Sequence, residues 1–340
     1  PALIIALPTR HAELKKAANE AKITLQVIAP NDPTPTPRQN AIVARNQAGN
    51  AREAAILYTS GTTGNPKGCV LSNTYLLLAG QWYADLGGIG TLQETGERMI
   101  TPLPIFHMNA MAYSFMAMIT VGGCLTILDR FHPSTWWQDV SASNATCLHY
   151  LGVMPTMLMG FEPAPQDRAH SIRFGFGAGV DPNLQADFEN RFGFPLIEAW
   201  AMTETGAGAV IASASKDRLV GKSSIGKPEA AVECKLLDDA GNEATQGELL
   251  VRRAGDDPRY GFFSEYYKDP KATQEAWQNG WFHTGDIVRK DLSGNYFFVD
   301  RKKNVIRRSG ENIAAVEVES VLMRHPEILA AGVAPVPDPV

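Results

Sequence analysis

The residues richest in potential chemistry lie in one stretch, 57–68, with the sequence Leu-Tyr-Thr-Ser-Gly-Thr-Thr-Gly-Asn-Pro-Lys-Gly. An apolar run leads into it and predicts a buried strand over 54–58. Gly61, Gly64 and Gly68 allow left-handed backbone angles and a close approach to a ligand. Backbone N–H groups and hydroxyls turned inward would form an anion cradle, to which Lys67 adds a positive charge. The stretch therefore predicts a polyphosphate site.

This stretch differs from a Walker A loop, which ends in Gly-Lys-Ser/Thr. Here Pro66 precedes Lys67, and Gly68 and Cys69 follow it. A proline at this place also prevents the loop from running straight into a helix. The simpler alternative is a surface turn with a solvated lysine, but the full ordered string favours the phosphate site and excludes a P-loop kinase.

Two further segments could hold a base and a metal ion. Residues 175–179, Gly-Phe-Gly-Ala-Gly, end a predicted strand, and a glycine wall there can admit a planar base. Further on, Trp200 offers a face for stacking on adenine, Thr203 can bond a phosphate, and Glu204 is a hard oxygen ligand suited to Mg²⁺. A structural turn at 175–179, and a core tryptophan beside a capping threonine, are the commoner explanations for each segment taken alone.

A carboxylate suited to a sugar follows at Asp286, in the segment 281–286, Trp-Phe-His-Thr-Gly-Asp. It can accept hydrogen bonds from both hydroxyls of a ribose. On its own, Thr-Gly-Asp is a common surface turn, and the basic run at 300–304, Asp-Arg-Lys-Lys-Asn, is by default a solvated face.

The composition is that of an ordinary globular protein. The chain has 340 residues, enough for two domains or one large domain with subdomains, and contains 44% hydrophobic and 20% charged residues. A net charge of −5 without a long basic run argues against nucleic acid as a partner. The longest nearly apolar stretch, 111–126, is interrupted by Ser114 and two glycines, so no membrane span is predicted. Four widely spaced cysteines favour a reducing, cytoplasmic location over a zinc or disulfide framework.

Strands and helices alternate over residues 1–219. Strands are predicted at 2–7, 25–28, 54–58, 99–103, 124–128, 147–151, 173–176 and 195–199. Helices are predicted at 10–22, 72–86, 108–120 (buried on all sides), 133–143, from 156 onward, and at 182–192. This alternation predicts an α/β fold with parallel sheets, in which ligands bind at the carboxyl ends of the strands.

The pattern changes near residue 220. Short β runs at 233–237, 247–252 and 295–299, with one helix at 271–277, predict a small β-rich, barrel-like subdomain. A helix at 315–324 and a strand at 329–334 indicate a further small α+β domain. We therefore predict a large N-terminal domain over 1–302, divided into 1–219 and 220–302, and the truncated start of a mobile C-terminal domain over 303–340. Both chain ends resemble interrupted strands, so we expect a fragment of a longer protein.

In their order along the chain, these segments resemble the motifs of the adenylate-forming enzymes, which include acyl-CoA synthetases, luciferases and the adenylation domains of peptide synthetases. Residues 57–68 are similar to the phosphate loop of that family, 200–204 to its aromatic–small–Met-Thr-Glu motif and 281–286 to its aromatic-x-Thr-Gly-Asp motif. Residues 300–304 and 308–313 match two later motifs. Trp200 and Ala201 replace the usual Tyr and Gly; the first change preserves stacking, and the second would tighten the turn.

The resemblance implies roles for the matching residues. The β- and γ-phosphates of ATP would be held by Thr59, Ser60, Gly61, Thr62, Thr63, Gly64 and Lys67. The adenine and acyl pockets would be lined by Gly177, Ala178 and Gly179, and the nucleoside would be fixed by Trp200, Asp286 and Arg301. Catalysis would rest on His107, which places the substrate carboxylate, on Thr203, and on Glu204 as the Mg²⁺ ligand; Lys303 would be the hinge, and Gly310 and Glu311 would line the coenzyme A side.

The implied activity is that of an AMP-forming acyl-CoA synthetase of the fatty acid metabolism type, an ATP-dependent carboxylate–CoA ligase. Its cofactors would be ATP, Mg²⁺ and coenzyme A, and its partner a small carboxylic acid, with a homodimer as a further possibility. Two alternatives stay open. The chain could belong to an adenylation domain that loads a carrier protein, or to a non-catalytic nucleotide-binding relative. The second gains weight because a lysine that the family uses near its C-terminus falls beyond Val340.

Overall fold

The computed structural model describes residues 3–33, 49–59, 66–302, 306–308, 311–313, 318–319, 322, 328, 331–334 and 336. The chain forms two compact units, residues 1–47 and 48–340. In the first unit, strand β1 (Leu3–Ile5) pairs in parallel with β2 (Gln26–Ile28), and helix α1 (His11–Glu20) connects them. The predicted strand–helix–strand unit is therefore confirmed.

The strands of the second unit are β3 (Glu53–Thr59), β4 (Lys67–Ser72), β5 (Arg98–Thr101), β6 (Cys124–Ile127), β7 (Cys147–Leu151), β8 (Phe174–Ala178), β9 (Leu196–Trp200), β10 (Ile211–Ala212), β11 (Ser224–Pro228), β12 (Val232–Leu237), β13 (Gln246–Arg253), β14 (Glu265–Tyr266), β15 (Trp277–Gln278), β16 (Trp281–Lys290), β17 (Tyr296–Arg301), β18 (Ile306–Arg308) and β19 (Glu311–Ile313). The helices are α2 (Asn73–Asp85), α3 (Met116–Val121), α4 (Trp136–Ser143), α5 (Val153–Met159), α6 (Pro182–Phe192) and α7 (Pro270–Ala276). A π-helical turn, Asn109–Phe115, leads into α3.

One large mixed sheet dominates this unit. Its strands follow the order β12-β13-β16-β17-β11-β10-β9-β8-β7-β5-β6, and β15 pairs with β16. We call β5 to β9 the parallel half, because these strands pair in parallel. We call β10 to β13 with β15 to β17 the antiparallel half. A separate three-stranded sheet has the order β14-β4-β3. The α/β fold class is confirmed. The strands of the β-rich segment predicted from residue 220 onward belong to the same large sheet as the parallel half.

Helices cover both faces of the parallel half. Alternate residues of each strand point to opposite faces and therefore pack against different helices. Cys147 and Phe176 join the core cluster that also contains Tyr75 and Tyr83 of α2. Leu148 and Leu196 join a second cluster with residues of α4, α5 and α6. The carboxyl ends of β5, β7, β8 and β9 lie at the same edge of the sheet, and it is at this edge that α/β sheets bind ligands.

Local sequence explains several helix limits. Ser72 caps α2 by accepting a hydrogen bond from the Tyr75 N–H at 3.1 Å. Asp181 caps α6 before Pro182, and Gly193 ends it with φ of +82°, so the predicted span 182–192 is confirmed.

Two expectations were wrong in detail. The helix predicted at 108–120 begins as a π-helical turn, and it is not buried on all sides, since Phe115 is 44% and Ile119 57% exposed. Strand β4 was not predicted, because Lys67 and Gly68 were assigned to the phosphate loop alone. The domain boundaries at 219/220 and 302/303 stay predictions, and most of 303–340, including the predicted helix and strand there, lies outside the described residues.

Candidate nucleotide-binding site

Strands β3 and β4 flank the predicted phosphate loop. They pair antiparallel, and Thr59 and Lys67 are the last residues in register. Both side chains are half-buried. Ser60, Gly61, Thr62, Thr63 and Gly64 lie outside the described residues, so their role stays a prediction.

Glu204 lies at the centre of a cluster next to these strand ends. The Tyr266 hydroxyl donates a hydrogen bond to Glu204 Oε1 at 2.9 Å, and Lys67 Nζ lies 4.9 Å from the centre of the Tyr266 ring. The Cys69 thiol contacts both Glu204 and Thr59, and burial together with the Glu204 charge raises the pKa of this thiol. The structure thus brings Thr59 and Lys67 of the 57–68 motif together with Glu204 of the 200–204 motif.

The turn that carries Thr203 and Glu204 is held by its backbone. The Tyr75 hydroxyl donates to the Thr203 carbonyl at 2.9 Å, and the Tyr113 hydroxyl donates to the Gly206 carbonyl at 3.0 Å. The Phe263 N–H donates to the Glu204 carbonyl at 2.9 Å. The Thr203 side chain is half-buried, and its hydroxyl has no hydrogen bond to another described residue. Donation from this hydroxyl to a phosphate oxygen stays a prediction.

Trp200 and Asp286 meet across the two halves of the large sheet. The indole Nε1 of Trp200, at the end of β9, donates to Asp286 Oδ2 at 2.8 Å across 86 residues of sequence. Asp286 pairs with Arg301 between β16 and β17, and Arg301 Nε lies 3.5 Å from Asp286 Oδ1. The 281–286 segment is thus part of a ten-residue strand, and the surface-turn alternative is wrong.

The surroundings of Asp286 suit a ligand with hydroxyl donors. Asp286 is 3% exposed, and its Oδ1 has no hydrogen-bond partner within the described part of the chain. Burial raises the pKa of its carboxyl; the Trp200 bond and the Arg301 charge oppose that rise, and Glu204 and Asp300 add to it. A buried acceptor without a donor is costly, so a ligand hydroxyl at Oδ1 would remove that cost.

The glycine turn at the end of β8 lies beside β9. Gly177 pairs with Glu198 in register, while Ala178 and Gly179 are exposed. This places the turn and Trp200 at the same edge of the sheet, as α/β geometry predicts.

His107 is exposed and precedes the π-helical turn. Across the described residues, no hydrogen bond or ion pair joins its side chain to the other site residues, so its role stays a prediction. Lys303 and Gly310 are outside the described residues. Glu311 begins β19, which pairs with β18, and no contact of its side chain is described.

Sequence reasoning missed several polar side chains that hold the site. Glu198, Tyr266 and His149 were not selected as candidates. The buried His149 bonds Tyr83 at 3.0 Å and Ser114 at 2.9 Å, and burial lowers its pKa to about 3. A neutral histidine therefore anchors the π-helical turn through Ser114. The one available signal was a charged or polar residue within an otherwise apolar strand, as in Leu196–Trp200 and Cys147–Leu151.

The residues present fit a nucleotide and one metal ion. No group of three or more His, Cys, Asp or Glu residues in the described ranges could hold a metal by itself. Mg²⁺ commonly takes only one or two protein carboxylates and completes its coordination with phosphates and water. Glu204, next to the strand ends that flank the phosphate loop, meets that requirement.

A family comparison defines the class of protein. The model of the AMP-binding enzyme family matches residues 2–267, most of the chain. The chain therefore belongs to the AMP-binding enzyme family, which confirms the resemblance to adenylate-forming enzymes. Within the part of the chain that the structure describes, no helix is long and apolar enough to cross a membrane.

Individual proteins similar to this chain include two CoA ligases and one coenzyme A synthetase. Crotonobetaine/carnitine–CoA ligase of Salmonella heidelberg (strain SL476) is 33% identical over 277 residues, which cover 81% of this chain and 52% of that protein. Sulfoacetate–CoA ligase of Cupriavidus necator is 31% identical over 359 residues, covering 99% and 66%. O-Succinylbenzoate coenzyme A synthetase from Bacillus subtilis, solved in complex with AMP, is 27% identical with a TM-score of 0.69, covering 85% of this chain and 58% of that one. The chain spans about half the length of the first of these relatives.

Proposed function

We propose that this chain is the nucleotide-binding part of an ATP-dependent carboxylate–CoA ligase. The observation that carries the proposal is the Trp200–Asp286 hydrogen bond, which joins an aromatic face and a ribose acceptor at the ligand-binding edge of the sheet. Trp200 is 5% exposed and belongs to the hydrophobic core, so stacking of its ring on a base stays a prediction. The names of the relatives, which are CoA ligases, support coenzyme A as the thiol substrate.

In the proposed first step, a carboxylate oxygen of the acid attacks the α-phosphorus of ATP, and the bond to pyrophosphate breaks. Catalysis of such a transfer is mostly positioning and charge neutralisation. Lys67 and the hydroxyls of Thr59 and Thr203 would hold the phosphates, with Ser60, Thr62 and Thr63 as predicted further donors. A bound Mg²⁺, with Glu204 as its protein ligand, supplies charge neutralisation on the phosphates.

Nucleoside binding would use the two halves of the sheet together. Asp286 would accept the ribose hydroxyls at Oδ1, beside Arg301. The turn of Gly177, Ala178 and Gly179 would admit the adenine. His107 would place the acid next to the α-phosphate.

In the second step, the thiol of coenzyme A attacks the acyl carbon of the acyl-adenylate, and AMP leaves as the thioester forms. We further propose that the hinge is Lys303. The coenzyme A side of the site would be lined by Gly310 and Glu311. Cytoplasmic location and a homodimer stay predictions.

The test is carboxylate-dependent ATP–pyrophosphate exchange by this protein across a panel of acids, followed by addition of free coenzyme A. We expect exchange with at least one acid and a thioester with free coenzyme A. Exchange without a CoA thioester would favour carrier-protein loading. ATP binding without exchange for any acid would refute the ligase.

A further inference from the structure

The glycine turn at the end of β8 is fixed on one side by β7. A Cβ atom at Gly152 would lie 1.7 Å from the Gly179 carbonyl oxygen, and a Cβ atom at Gly177 would lie 2.3 Å from the Tyr150 carbonyl oxygen. Gly179 has φ of +80°, a backbone conformation that side chains other than glycine rarely adopt. The path of the turn is therefore set by direct backbone contact with the neighbouring strand.

On its other side, the turn is held by Glu198 of β9. The carboxylate accepts from the Gly179 N–H at 2.8 Å and from the Val180 N–H at 3.3 Å, and the Tyr150 hydroxyl donates to it as well. Glu198 is 5% exposed, and a carboxylate so deeply buried requires donors. No lysine or arginine of the described chain forms an ion pair with it. Its charge therefore stabilises hydrogen bonds to the turn and does not form a salt bridge.

We propose that Glu198 is a positioning residue of the adenine pocket, whose ionised carboxylate holds the turn 177–180 in its base-accepting conformation through the N–H groups of Gly179 and Val180. The inference rests on the proposed nucleotide-binding function of this site. Without the acceptor, the N–H groups of Gly179 and Val180 lose their hydrogen-bond partner, and the turn gains other conformations that close the slot. Glu198 does not need to touch the ligand for this role.

The protonation state of Glu198 gives the role a signature. Burial raises the pKa of its carboxyl to about 7, against the opposing effect of the bonds from Tyr150, Gly179 and Val180. Tyr150 of β7 is the titratable side chain bonded to Glu198, and Glu189 of α6 with its ion-pair partner Arg218 acts on Tyr150. The ionised form makes the stronger hydrogen bonds to the turn. Base affinity should therefore rise with pH across this pKa.

The experiment measures adenosine binding to this chain by calorimetry between pH 6 and pH 8, because adenosine does not change charge in that range. For the wild type we expect affinity to rise by about fivefold. Glu198→Gln keeps the shape but turns an amide NH₂ toward N–H donors, so we expect binding about tenfold weaker at pH 8, in line with losing a hydrogen bond to a charged group. Its pH response should be lost. The exposed Glu162→Gln serves as the matched control and should retain both.

A second variant keeps the test decisive if Glu198→Gln folds poorly, which thermal unfolding and near-UV circular dichroism would reveal. Tyr150→Phe removes the hydroxyl that lowers the pKa of Glu198, so the midpoint of the affinity profile should move to higher pH. An unchanged profile in both variants would overturn the role of Glu198 alone. No binding of adenosine or AMP by the wild type would overturn the proposed function as well.

Discussion

The parallel and antiparallel halves of the large sheet treat buried carboxylates differently. In the parallel half, Glu198 accepts three donors, and Glu97, next to β5, accepts from the Gln93 N–H at 2.6 Å and from Thr146 and Arg173. In the antiparallel half, Asp286 and Asp300 each keep one buried oxygen without a hydrogen-bond partner among the described residues, although Arg301 Nε lies 3.5 Å from Asp286 Oδ1. Satisfied carboxylates stabilise the fold, whereas an oxygen without a donor is a cost that a hydroxyl of a ligand or a bound water removes.

The strand geometry explains part of this difference. The parallel strands end together, so a side chain of β9 can reach the backbone of the turn that follows β8. In the antiparallel half, β16 and β17 pair through Asp286–Arg301 and Ile287–Asp300, and a bulge follows between Ile287 and Val288. Bulges redirect side chains and are common next to active sites. The two unsatisfied oxygens thus occur where the ladder is irregular.

The largest expected effect is on stability in the parallel half. Glu97→Ala would leave the Arg173 guanidinium without its buried partner, which costs about 3 kcal/mol of the free energy of unfolding, the lower end for a broken buried pair because the Arg173 side chain is 33% exposed. Urea denaturation would measure it. Because Glu97 lies at the amino edge of the sheet, AMP affinity should not change. The exposed Glu94→Ala is the control, and a loss of AMP affinity in folded Glu97→Ala would contradict the division of roles.

Glu204 lies in the turn that joins the parallel half to the antiparallel half. Its substitution tests whether a carboxylate proposed to serve a ligand affects activity rather than stability. Glu204→Gln keeps an acceptor for the Tyr266 hydroxyl but loses the charge that Mg²⁺ requires. Loss of residues that merely orient metal ligands costs roughly 10–100-fold, so we expect at least about a 100-fold loss of Mg²⁺-dependent ATP–pyrophosphate exchange by the protein. Thermal stability should be retained. Exchange at the wild-type rate would refute the metal assignment, and the exposed Glu265→Gln is the control.

Asp286→Asn should show the opposite pattern to Glu97→Ala. The amide can still accept from Trp200 Nε1, but it loses the charge beside Arg301 and the acceptor proposed for ribose. We expect AMP affinity to fall by about 10–30-fold, as for one hydrogen bond to a charged group, with the free energy of unfolding unchanged or raised. Calorimetry and urea denaturation measure the two quantities. If stability fell and affinity did not, Asp286 would have the structural role of the satisfied carboxylates. Asp256→Asn, at an exposed position, is the control.

Periodic patterns were enough to predict most of the parallel half. The strand at 147–151 and the helix at 182–192 are confirmed to the residue, because apolar runs of this length between clear caps and turns have few alternatives. Strands β10, β14 and β15 have two residues each and no period to detect. Strand β16 was missed because Thr-Gly-Asp has the composition of a turn, and its place in the sheet depends on pairing with β13 and β17.

Site residues could be predicted from sequence where they belong to a motif and are proposed to contact the ligand. Residues that act by positioning another residue could not be predicted. Trp200, Glu204 and Asp286 were singled out from sequence, and the structure places them at one edge. Tyr266 was not, because its role depends on pairing of β14 with β4 across nearly the whole domain. Glu198 was not predicted for the same reason, since its partners are Tyr150 of β7 and the N–H groups of the turn that follows β8.

The smallest expected effect concerns the bond that joins the two halves. Trp200→Phe keeps an aromatic face but removes the donor to Asp286 Oδ2, and the resulting rotational freedom of the carboxylate should weaken AMP binding. In a double-mutant cycle with Asp286→Asn, we expect a coupling energy of about 1 kcal/mol in AMP binding, because residues in direct hydrogen-bond contact couple by 0.5–3 kcal/mol. A coupling near zero would mean that the nucleoside is held by the antiparallel half alone. The same cycle in unfolding free energy separates this outcome from a loss of sheet packing, which would appear in stability and not in affinity.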